Sequence, residues 1–397
     1  MNAYINLLKT NKNFMLISII QLICYFGAWF SHTGIFTMLI ELKAPVWAIT
    51  ISAAMAFVPG IILAPFSGVL IDRFKAKPML IVMILFEAIS VLMLVFIDTL
   101  ELLWLLLTLI FLRMGVGGIY FQVEMSLLPK ILTKSELKLA NEIHSIIWAV
   151  SYSAGMGLAG FYIHFFGVKS AFVFDFVLYL FGFWLLLKLD IANITTNLHQ
   201  SAFKMLTEGF TYIKQNHLIL HLILLHAFVG ITAYDALIAL LADNTYKGIL
   251  STALVIGLTN ASRALALMFA PMFLSKFINN QNVYLFYIGH GVGIIIWAIL
   301  QQNFYLGFIG MFCAGFFTST LWSYTYTLVQ QHCDEKFYGR VIAYNDMFFL
   351  GVSAAISVGI GTLFELGFSL FSITIFMGLL FFAGAIYFKA VKNRYQL

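Results

Sequence analysis

Long apolar runs separated by short polar turns dominate this chain. Leu, Ile and Phe recur through stretches of about 20 residues, a length that crosses roughly 30 Å of hydrocarbon as a helix. The sequence lacks the alternation of apolar and polar residues that a membrane strand shows. The pattern therefore predicts twelve membrane-spanning helices, at residues 14–40, 46–71, 78–97, 101–124, 139–164, 169–189, 217–242, 249–276, 283–300, 304–328, 339–364 and 368–389.

The composition agrees with this pattern. The 397 residues are 62% hydrophobic and 10% charged, whereas a soluble domain carries about 25% charged residues. We therefore expect an all-α polytopic membrane protein. The net charge of +5 reflects cations at the ends of the spans and does not indicate nucleic-acid binding. The three cysteines match neither a disulfide framework nor a metal motif, so no metal or other cofactor is expected.

One long polar connection divides the chain. We expect an N-terminal six-helix bundle at residues 1–189, a linker at 190–216 and a C-terminal six-helix bundle at 217–397. Within the linker, Ser201–Lys214 carries apolar residues at helical spacing, which predicts a helix lying on the membrane surface. The alternative is a plain linker.

The two predicted bundles repeat one another. At an offset of 200 residues, 139–167 aligns with 339–367, and Gly167 falls on Gly367. Parallel six-span repeats around a midplane cavity are typical of secondary transporters. The chain has no phosphate-binding Gly-Lys-Ser/Thr loop, so the sequence encodes no recognisable ATP-driven motor.

The distribution of Lys and Arg predicts the orientation in the membrane. If both termini lie on one side, that side holds 17 of the 22 cations and the other side holds only Lys43, Lys169 and Lys247. The remaining two, Arg113 and Arg263, lie inside predicted spans. Because cytoplasmic loops are enriched in cations, both termini are expected in the cytoplasm. The sequence shows no targeting segment, which favours a bacterial inner membrane.

Several stretches resemble the major facilitator superfamily, and within it the branch of drug and siderophore exporters that includes enterobactin-exporter-like and macrolide-efflux proteins. The strongest runs from Val58 to Gly68 and on into Asp72-Arg73-Phe74, and it is similar to the superfamily signature between spans 2 and 3. Three shorter stretches add to the resemblance: Leu139-Ala140-Asn141, residues 171–175 and residues 208–213. The resemblance covers nearly the whole chain and implies a transporter of twelve spans.

The resemblance also implies a cytoplasmic gate. In the superfamily, the acid equivalent to Asp72 faces the start of span 11, where Arg340 lies here, and Gly68 allows a neighbouring helix to approach closely. Arg73 would then reach Glu124 at the inner end of span 4. The expected gate residues are Gly68, Asp72, Arg73, Glu124 and Arg340. The alternative is that these cations only set the topology.

Ionisable side chains within the spans are candidates for proton coupling or substrate binding, because charge is costly in hydrocarbon. These candidates are His32, Arg113, His226, Asp235 and Arg263. Each has a structural alternative. Arg113 can pair with Glu87, Arg263 can pair with Asp235, and either histidine can be a hydrogen-bonded core residue.

Two departures from the branch weaken the expectation of proton antiport. An Asp commonly follows the span 1 glycine in this branch, but Ala28 stands there after Gly27. Met156 replaces the usual Pro of the span 5 antiporter signature. His32, one turn beyond Ala28, can titrate near neutral pH in place of the missing acid.

Aromatic residues, 17% of the chain, suggest an amphipathic solute, because aromatic walls bind apolar and polar parts of one molecule together. The expected cavity aromatics are Tyr25, Trp29, Trp148, Tyr152, Tyr234 and Trp322. For any single one of them, packing against lipid or another helix is the alternative.

The sequence thus predicts a monomeric secondary transporter, not an enzyme, that exports small drug-like solutes or a siderophore by alternating access. The proton gradient is the expected energy source. Two alternatives remain: an importer or lysophospholipid flippase on the same fold, and a non-transporting membrane sensor or assembly subunit. The expected partners are a small-molecule substrate and the lipid bilayer.

We expect the substitution Asp72→Ala, expressed at the wild-type level, to impair transport, because it removes the acid of the predicted gate. The measurement is solute efflux from whole cells. Unchanged efflux would rule the gate out.

Overall fold

The computed structural model describes residues 2–63, 70, 74–191 and 202–397, and in those residues it contains helices and no strand. Twelve of the helical segments are long and apolar enough to cross a membrane. We number them spans 1 to 12: Lys12–Glu41, Val46–Leu63, Ala76–Leu94, Leu100–Ile131, Leu139–Phe166, Val168–Leu187, His217–Thr245, Thr252–Leu274, Val283–Leu300, Phe304–His332, Glu335–Glu365 and Leu370–Tyr395.

The predicted fold class is therefore confirmed, and the differences lie at the ends of the spans. Span 9 has its predicted bounds, whereas span 4 continues seven residues beyond the predicted end, to Ile131. The helix of span 5 begins at Lys134, before its apolar run. The length of an apolar run corresponds to the thickness of the hydrocarbon core. The helix itself can extend further, until its backbone hydrogen bonding ends at a cap.

An even number of crossings leaves both termini at the same face of the bundle. We call this face the terminus side and the opposite face the far side. Odd-numbered spans run from the terminus side to the far side and even-numbered spans run back. Spans 1–6 are called the first half and spans 7–12 the second half.

Two further helices flank the spans. Asn2–Thr10, which the sequence pattern did not indicate, buries Leu7 among residues of spans 1, 4 and 5. Ala202–Gln215 matches the helix predicted in the linker. This linker helix packs on the start of span 11, where the rings of Tyr212 and Phe337 stack 4.3 Å apart. Its position on the membrane surface remains a prediction.

The two halves pack closely at the far side. In spans 5 and 8, a side-chain carbon added at Gly160 would lie 2.7 Å from the carbonyl oxygen of Ala253, and one added at Gly257 would lie 2.7 Å from that of Met156. In spans 2 and 11, Gly361 faces the side chain of Thr50. The contacts of Gly160 and Gly257 are between backbones. Only glycine permits such approach of one backbone to another, so these contacts hold the far-side ends of the halves together.

Span 7 is not one continuous α-helix. An α-helix at His217–Ala227 is followed by a 3₁₀ segment at Phe228–Thr232, a second α-helix at Asp235–Leu240 and a π segment at Leu241–Thr245. At the interruption, the carbonyl group of Thr232 accepts from the backbone N–H of Tyr234 at 2.9 Å instead of from a residue one helical turn further on. Broken spans of this kind occur in membranes where the surrounding protein satisfies the freed backbone groups.

The helix of span 5 begins with a capping box. The backbone N–H of Thr133 donates to the Glu136 carboxylate at 2.9 Å, and the Thr133 hydroxyl accepts from the backbone N–H of Glu136 at 3.4 Å. These hydrogen bonds from Thr133 lower the pKa of Glu136 below its usual value. Because the pKa of Glu136 is lower in the folded protein than in the unfolded chain, its ionised carboxylate stabilises the cap at every pH above the unfolded-state pKa. This stabilisation is lost as the pH falls through the folded-state pKa.

We expect Thr133→Ala to speed amide hydrogen exchange over the first turn of this helix at neutral pH, because the first N–H groups lose their acceptor. In the wild-type protein the same turn should loosen on acidification, as the pH falls through the lowered pKa of Glu136 and its carboxylate takes up a proton. Hydrogen–deuterium exchange with mass spectrometry measures both effects. Thr108→Ala, which removes a hydroxyl bonded to the Trp104 carbonyl inside span 4, is the control. Equal exchange at the first turn in both variants would contradict the assignment.

We expect Gly257→Ala to force spans 5 and 8 apart at the far side, because its methyl group meets backbone and not a flexible side chain. Overpacking of this kind costs about 1–3 kcal/mol. The thermal unfolding of the detergent-purified protein should shift to lower temperature, and a far-side cysteine label should become more reactive. Gly118→Ala is the matched control, since an added methyl there meets no atom within 4 Å.

Candidate functional site

Charged and polar side chains join the two halves at the far side. His32 of span 1 and Asp235 of span 7 approach to 3.5 Å between Nε2 and Oδ1. Arg263 of span 8 directs its Nη1 toward the Tyr152 hydroxyl of span 5, also at 3.5 Å. The His32–Asp235 pair and Tyr152 are mostly buried. Two of the sequence candidates thus meet each other across the interface between the halves.

The expected alternative pairing of Arg263 with Asp235 is wrong in this structure. The Nη2 of Arg263 instead donates to the Thr232 carbonyl at 2.8 Å, and its guanidinium lies 4.8 Å from the centre of the Tyr234 ring. The interruption of span 7 explains the difference, because it leaves the Thr232 carbonyl outside the regular helical hydrogen-bonding pattern, where it accepts from both the Tyr234 backbone N–H and Arg263. The Thr232 carbonyl in the broken span thus binds Arg263, and Asp235 pairs with His32.

Aromatic side chains form a wall of the first half. The centre of the Trp29 ring lies 4.6 Å from that of Tyr152 and 6.0 Å from that of Trp148. Trp148 stacks on Tyr152 with ring centres 5.3 Å apart. Tyr152 contacts the second half through Arg263, whereas Trp148, one turn nearer the terminus side, is 41% exposed. The halves therefore meet at the level of Tyr152.

A second aromatic group lies on the second half. Trp322 stacks on Tyr326 at 4.9 Å, and His226 contacts the edge of Trp322 at 5.5 Å between ring centres. The Nδ1 of His226 is 2.9 Å from the Thr325 hydroxyl. Trp322 is 37% exposed. Each half thus has an aromatic group with a partly exposed tryptophan, which is Trp148 in the first half and Trp322 in the second.

Tyr234 does not fit the prediction of a cavity aromatic. Its exposed fraction is 0%, and its ring packs against Trp297 of span 9 with centres 5.1 Å apart. The interruption just before Tyr234 rotates its side chain into the second half. Tyr25 lies beside His144 of span 5, with ring centres 6.0 Å apart.

Arg113 lies in a buried cluster inside the first half. Its Nε is 3.1 Å from Glu87 Oε2 of span 3, and its Nη2 is 3.3 Å from Asp175 Oδ2 of span 6. Ser31 of span 1 donates a short hydrogen bond to the same Asp175 oxygen, and the Tyr179 hydroxyl donates to Glu87 at 3.4 Å. The pairing with Glu87 is the alternative that the sequence offered for Arg113, and Asp175 is an additional partner.

Glu124 lies in a buried polar chain that the sequence did not predict. The Gln21 side chain donates from Nε2 to Glu124 at 3.1 Å, and its Oε1 lies 3.2 Å from Nδ1 of His144. Glu124 is 1% exposed. The missed partners, Gln21 and His144, are polar residues in apolar runs, and that is the signal that could have identified them.

The remaining gate residues are only partly described. Arg340 begins the α-helix of span 11, and its Nη1 is 2.8 Å from Glu208 of the linker helix. Gly68, Asp72 and Arg73 lie outside the described residues. Among the residues that are described, no group of His, Cys, Asp or Glu is arranged to hold a metal ion.

Several solved structures share this fold at low sequence identity. A mutant of the nucleoside transporter NupG superposes with a TM-score of 0.75 at 14% identity, covering 96% of this chain and 99% of that one. A mutant of the peptide transporter POT in complex with sulfate superposes with a TM-score of 0.76 at 13% identity, covering 97% of this chain and 95% of that one. The POT family transporter PepTSo superposes with a TM-score of 0.71 at 13% identity, covering 97% of this chain and 98% of that one.

A search of curated proteins found no significant relative of this sequence. A family model for the Major Facilitator Superfamily matches residues 17–358. That range includes the charged contacts across the halves, both aromatic groups and the Arg113 cluster. The chain belongs to the Major Facilitator Superfamily of membrane transporters.

Proposed function

We propose that the protein is a secondary transporter that exports small amphipathic solutes, drug-like compounds or a siderophore, by alternating access and in exchange for protons. The observation that carries this proposal is the arrangement of the two halves. They are joined at the far side by His32–Asp235 and Tyr152–Arg263, and they expose aromatic side chains toward the terminus side. Such a shape is one of the two end states that alternating access requires.

The aromatic walls support an amphipathic solute. Trp148 and Trp322 offer flat, apolar surfaces that also carry a polar N–H group, and both are partly exposed. Aromatic faces bind apolar and cationic groups without a fixed hydrogen-bonding pattern. A site of this kind suits a class of solutes better than it suits one sugar or one amino acid.

The distribution of cations supports the direction. With 17 Lys and Arg residues on the terminus side and three on the far side, the positive-inside rule places both termini in the cytoplasm. An opening toward the terminus side would then face the cytoplasm, from which an exporter collects its solute. A bacterial inner membrane, with the protein acting as a monomer, is the proposed setting.

The contact between His32 and Asp235 supports proton coupling. The pair attracts when the imidazole is protonated and the carboxylate is ionised, and loss of either charge removes that attraction. Because the pair bridges the halves at the closed end, its protonation state alters the balance between the two end states. His32 thereby supplies a titratable group in the span that has Ala28 in place of an acid.

The gate on the terminus side remains part of the proposal. In the opposite end state, Asp72 would face the start of span 11, where Arg340 already pairs with Glu208, and Arg73 would reach Glu124. The linker helix would then take part in closure, since Glu208 belongs to it.

Profiling of a deletion strain against a drug and metabolite panel tests the export proposal. We expect loss of the protein to raise susceptibility to, or retention of, at least one aromatic amphipathic compound. Loss of uptake of a nutrient would favour import instead. Proton-independent movement of a lysophospholipid in proteoliposomes would favour the flippase.

With the solute so identified, we expect Asp235→Asn to slow solute-driven proton movement in proteoliposomes by about tenfold, the effect of losing an interaction of ~1.4 kcal/mol. The control is Asp243→Asn, on the same span, whose carboxylate pairs with the exposed Lys247. A pH-sensitive dye inside the vesicles measures the proton flux. Equal rates in the two variants would remove His32–Asp235 from the coupling mechanism.

A further inference from the structure

Asp346 of span 11 is an acidic residue inside a span. No Lys, Arg or His side chain pairs with it in the part of the chain that the structure describes. The α-helix begins at Tyr338, so Asp346 lies about 12 Å along it. The hydrogen bond that its carboxyl group accepts comes from the neighbouring Asn345 side chain, at 3.4 Å. The carboxyl groups of Asp175 and Asp235, in contrast, pair with an arginine and a histidine.

An ionised carboxyl group at this depth is costly unless a positive charge lies beside it. Arg340, which lies on the same helix, pairs with Glu208 of the linker helix. Tyr326 of span 10 lies within electrostatic reach of Asp346, but a tyrosine is neutral near pH 7. The Asp346 side chain is only partly buried, so a ligand can reach it. The positive charge that this carboxyl group needs is therefore one that a ligand can supply.

Aromatic rings from two spans surround this carboxyl group. The ring of Tyr326 stacks on that of Trp322, one turn away on span 10, with centres 4.9 Å apart. The edge of the buried His226 ring contacts both, with its centre 5.4 Å from that of Tyr326. Phe349, one turn beyond Asp346 on span 11, lies 5.5 Å from His226 between ring centres. His226 thus holds the aromatic side chains of spans 10 and 11 together around the acid.

The aromatic rings and the acid complement each other chemically. The faces of tryptophan and tyrosine rings attract cations, and a carboxylate adds a full opposite charge. Trp322 is 37% exposed, and Tyr326 is partly exposed, so the ring pair is accessible from one side. An acidic solute would be repelled by Asp346. The two arginines within the spans, Arg113 and Arg263, are engaged in the contacts described above.

We propose that Asp346, Tyr326 and Trp322 form a binding site for an organic cation, so that the solute of this transporter is a basic aromatic compound. The carboxylate of Asp346 pairs with the positive group, and the stacked rings contact the apolar groups around it. His226 and Phe349 keep the rings in place. This inference rests on the proposed function, and within it favours a basic drug-like solute over an acidic siderophore.

Equilibrium binding of radiolabelled tetraphenylphosphonium, a permanently charged aromatic cation, to the purified full-length protein tests the site without transport. Asp346→Asn should weaken this binding about tenfold, because the attraction between opposite charges is lost. Binding of triphenylphosphine oxide, an uncharged aromatic compound, should stay unchanged in this variant. Trp322→Ala should weaken the binding of both compounds, since both use the ring surface. Asp334→Asn, which removes an exposed acid just before span 11, is the matched control and should bind both as the wild-type protein does.

Selective loss of the charged compound in Asp346→Asn distinguishes recognition of charge from a merely structural role, which would weaken both compounds alike. Asp346→Ser provides a second removal of the charge if the asparagine variant fails to fold. Equal affinity for tetraphenylphosphonium in the wild-type protein and in the folded variants, or no saturable binding to the wild-type protein, would overturn the proposal.

The binding measurement and the deletion-strain profile fail independently. If the deletion strain retains only neutral or acidic compounds, the cation site is overturned as the solute site, whereas export stands. If tetraphenylphosphonium binds through Asp346 but the deletion strain retains no compound, the proposed export fails and the cation site stands.

Discussion

The cost of placing charge in hydrocarbon governs how the interior of this protein is arranged. An ionised side chain within a span needs an opposite charge, a carbonyl group or an aromatic face close by. Arg113 meets this requirement with two carboxyl groups, and Arg263 meets it with a backbone carbonyl and a tyrosine ring. The first solution fixes three helices of one half to one another, whereas the second depends on an interruption in a neighbouring helix.

The interface between the halves combines two kinds of contact with different consequences. Glycine positions such as Gly160 and Gly257 let backbones touch over a dry, apolar surface, and van der Waals packing of this kind is insensitive to pH. His32–Asp235 adds a contact whose strength depends on protonation. The first kind fixes how closely the backbones of the two halves approach, and the second adds an electrostatic attraction that exists only while both groups are charged.

The sequence predicted the fold well because span length and apolarity are local properties. It also placed Arg113 at the correct depth beside Glu87, since both residues lie at similar distances from the ends of adjacent antiparallel helices. The sequence could not identify in this way partners that are far apart along the chain. Ser31 and Asp175 are 144 residues apart, and no periodicity reports which faces of spans 1 and 6 meet.

The errors have a common physical origin in backbone irregularity. The expectation that Tyr234 lines the cavity and that Arg263 pairs with Asp235 assumed a regular helix through span 7. A short 3₁₀ segment changes the rotation per residue, so every side chain beyond it faces a different direction. Glu124 lies in a regular helix, and its place in the gate stays a prediction; the sequence indicated its depth but not its hydrogen bond with Gln21.

The interruption of span 7 also has a mechanical consequence. A continuous helix resists bending because every turn is held by hydrogen bonds, whereas Thr232 and Ala233 lie where that ladder is broken. The segment beyond them, which begins at Asp235, can therefore tilt by small changes at a few backbone dihedral angles. A small tilt of this short helix is enough to lengthen the contact between Asp235 and His32 while the rest of span 7 stays in place.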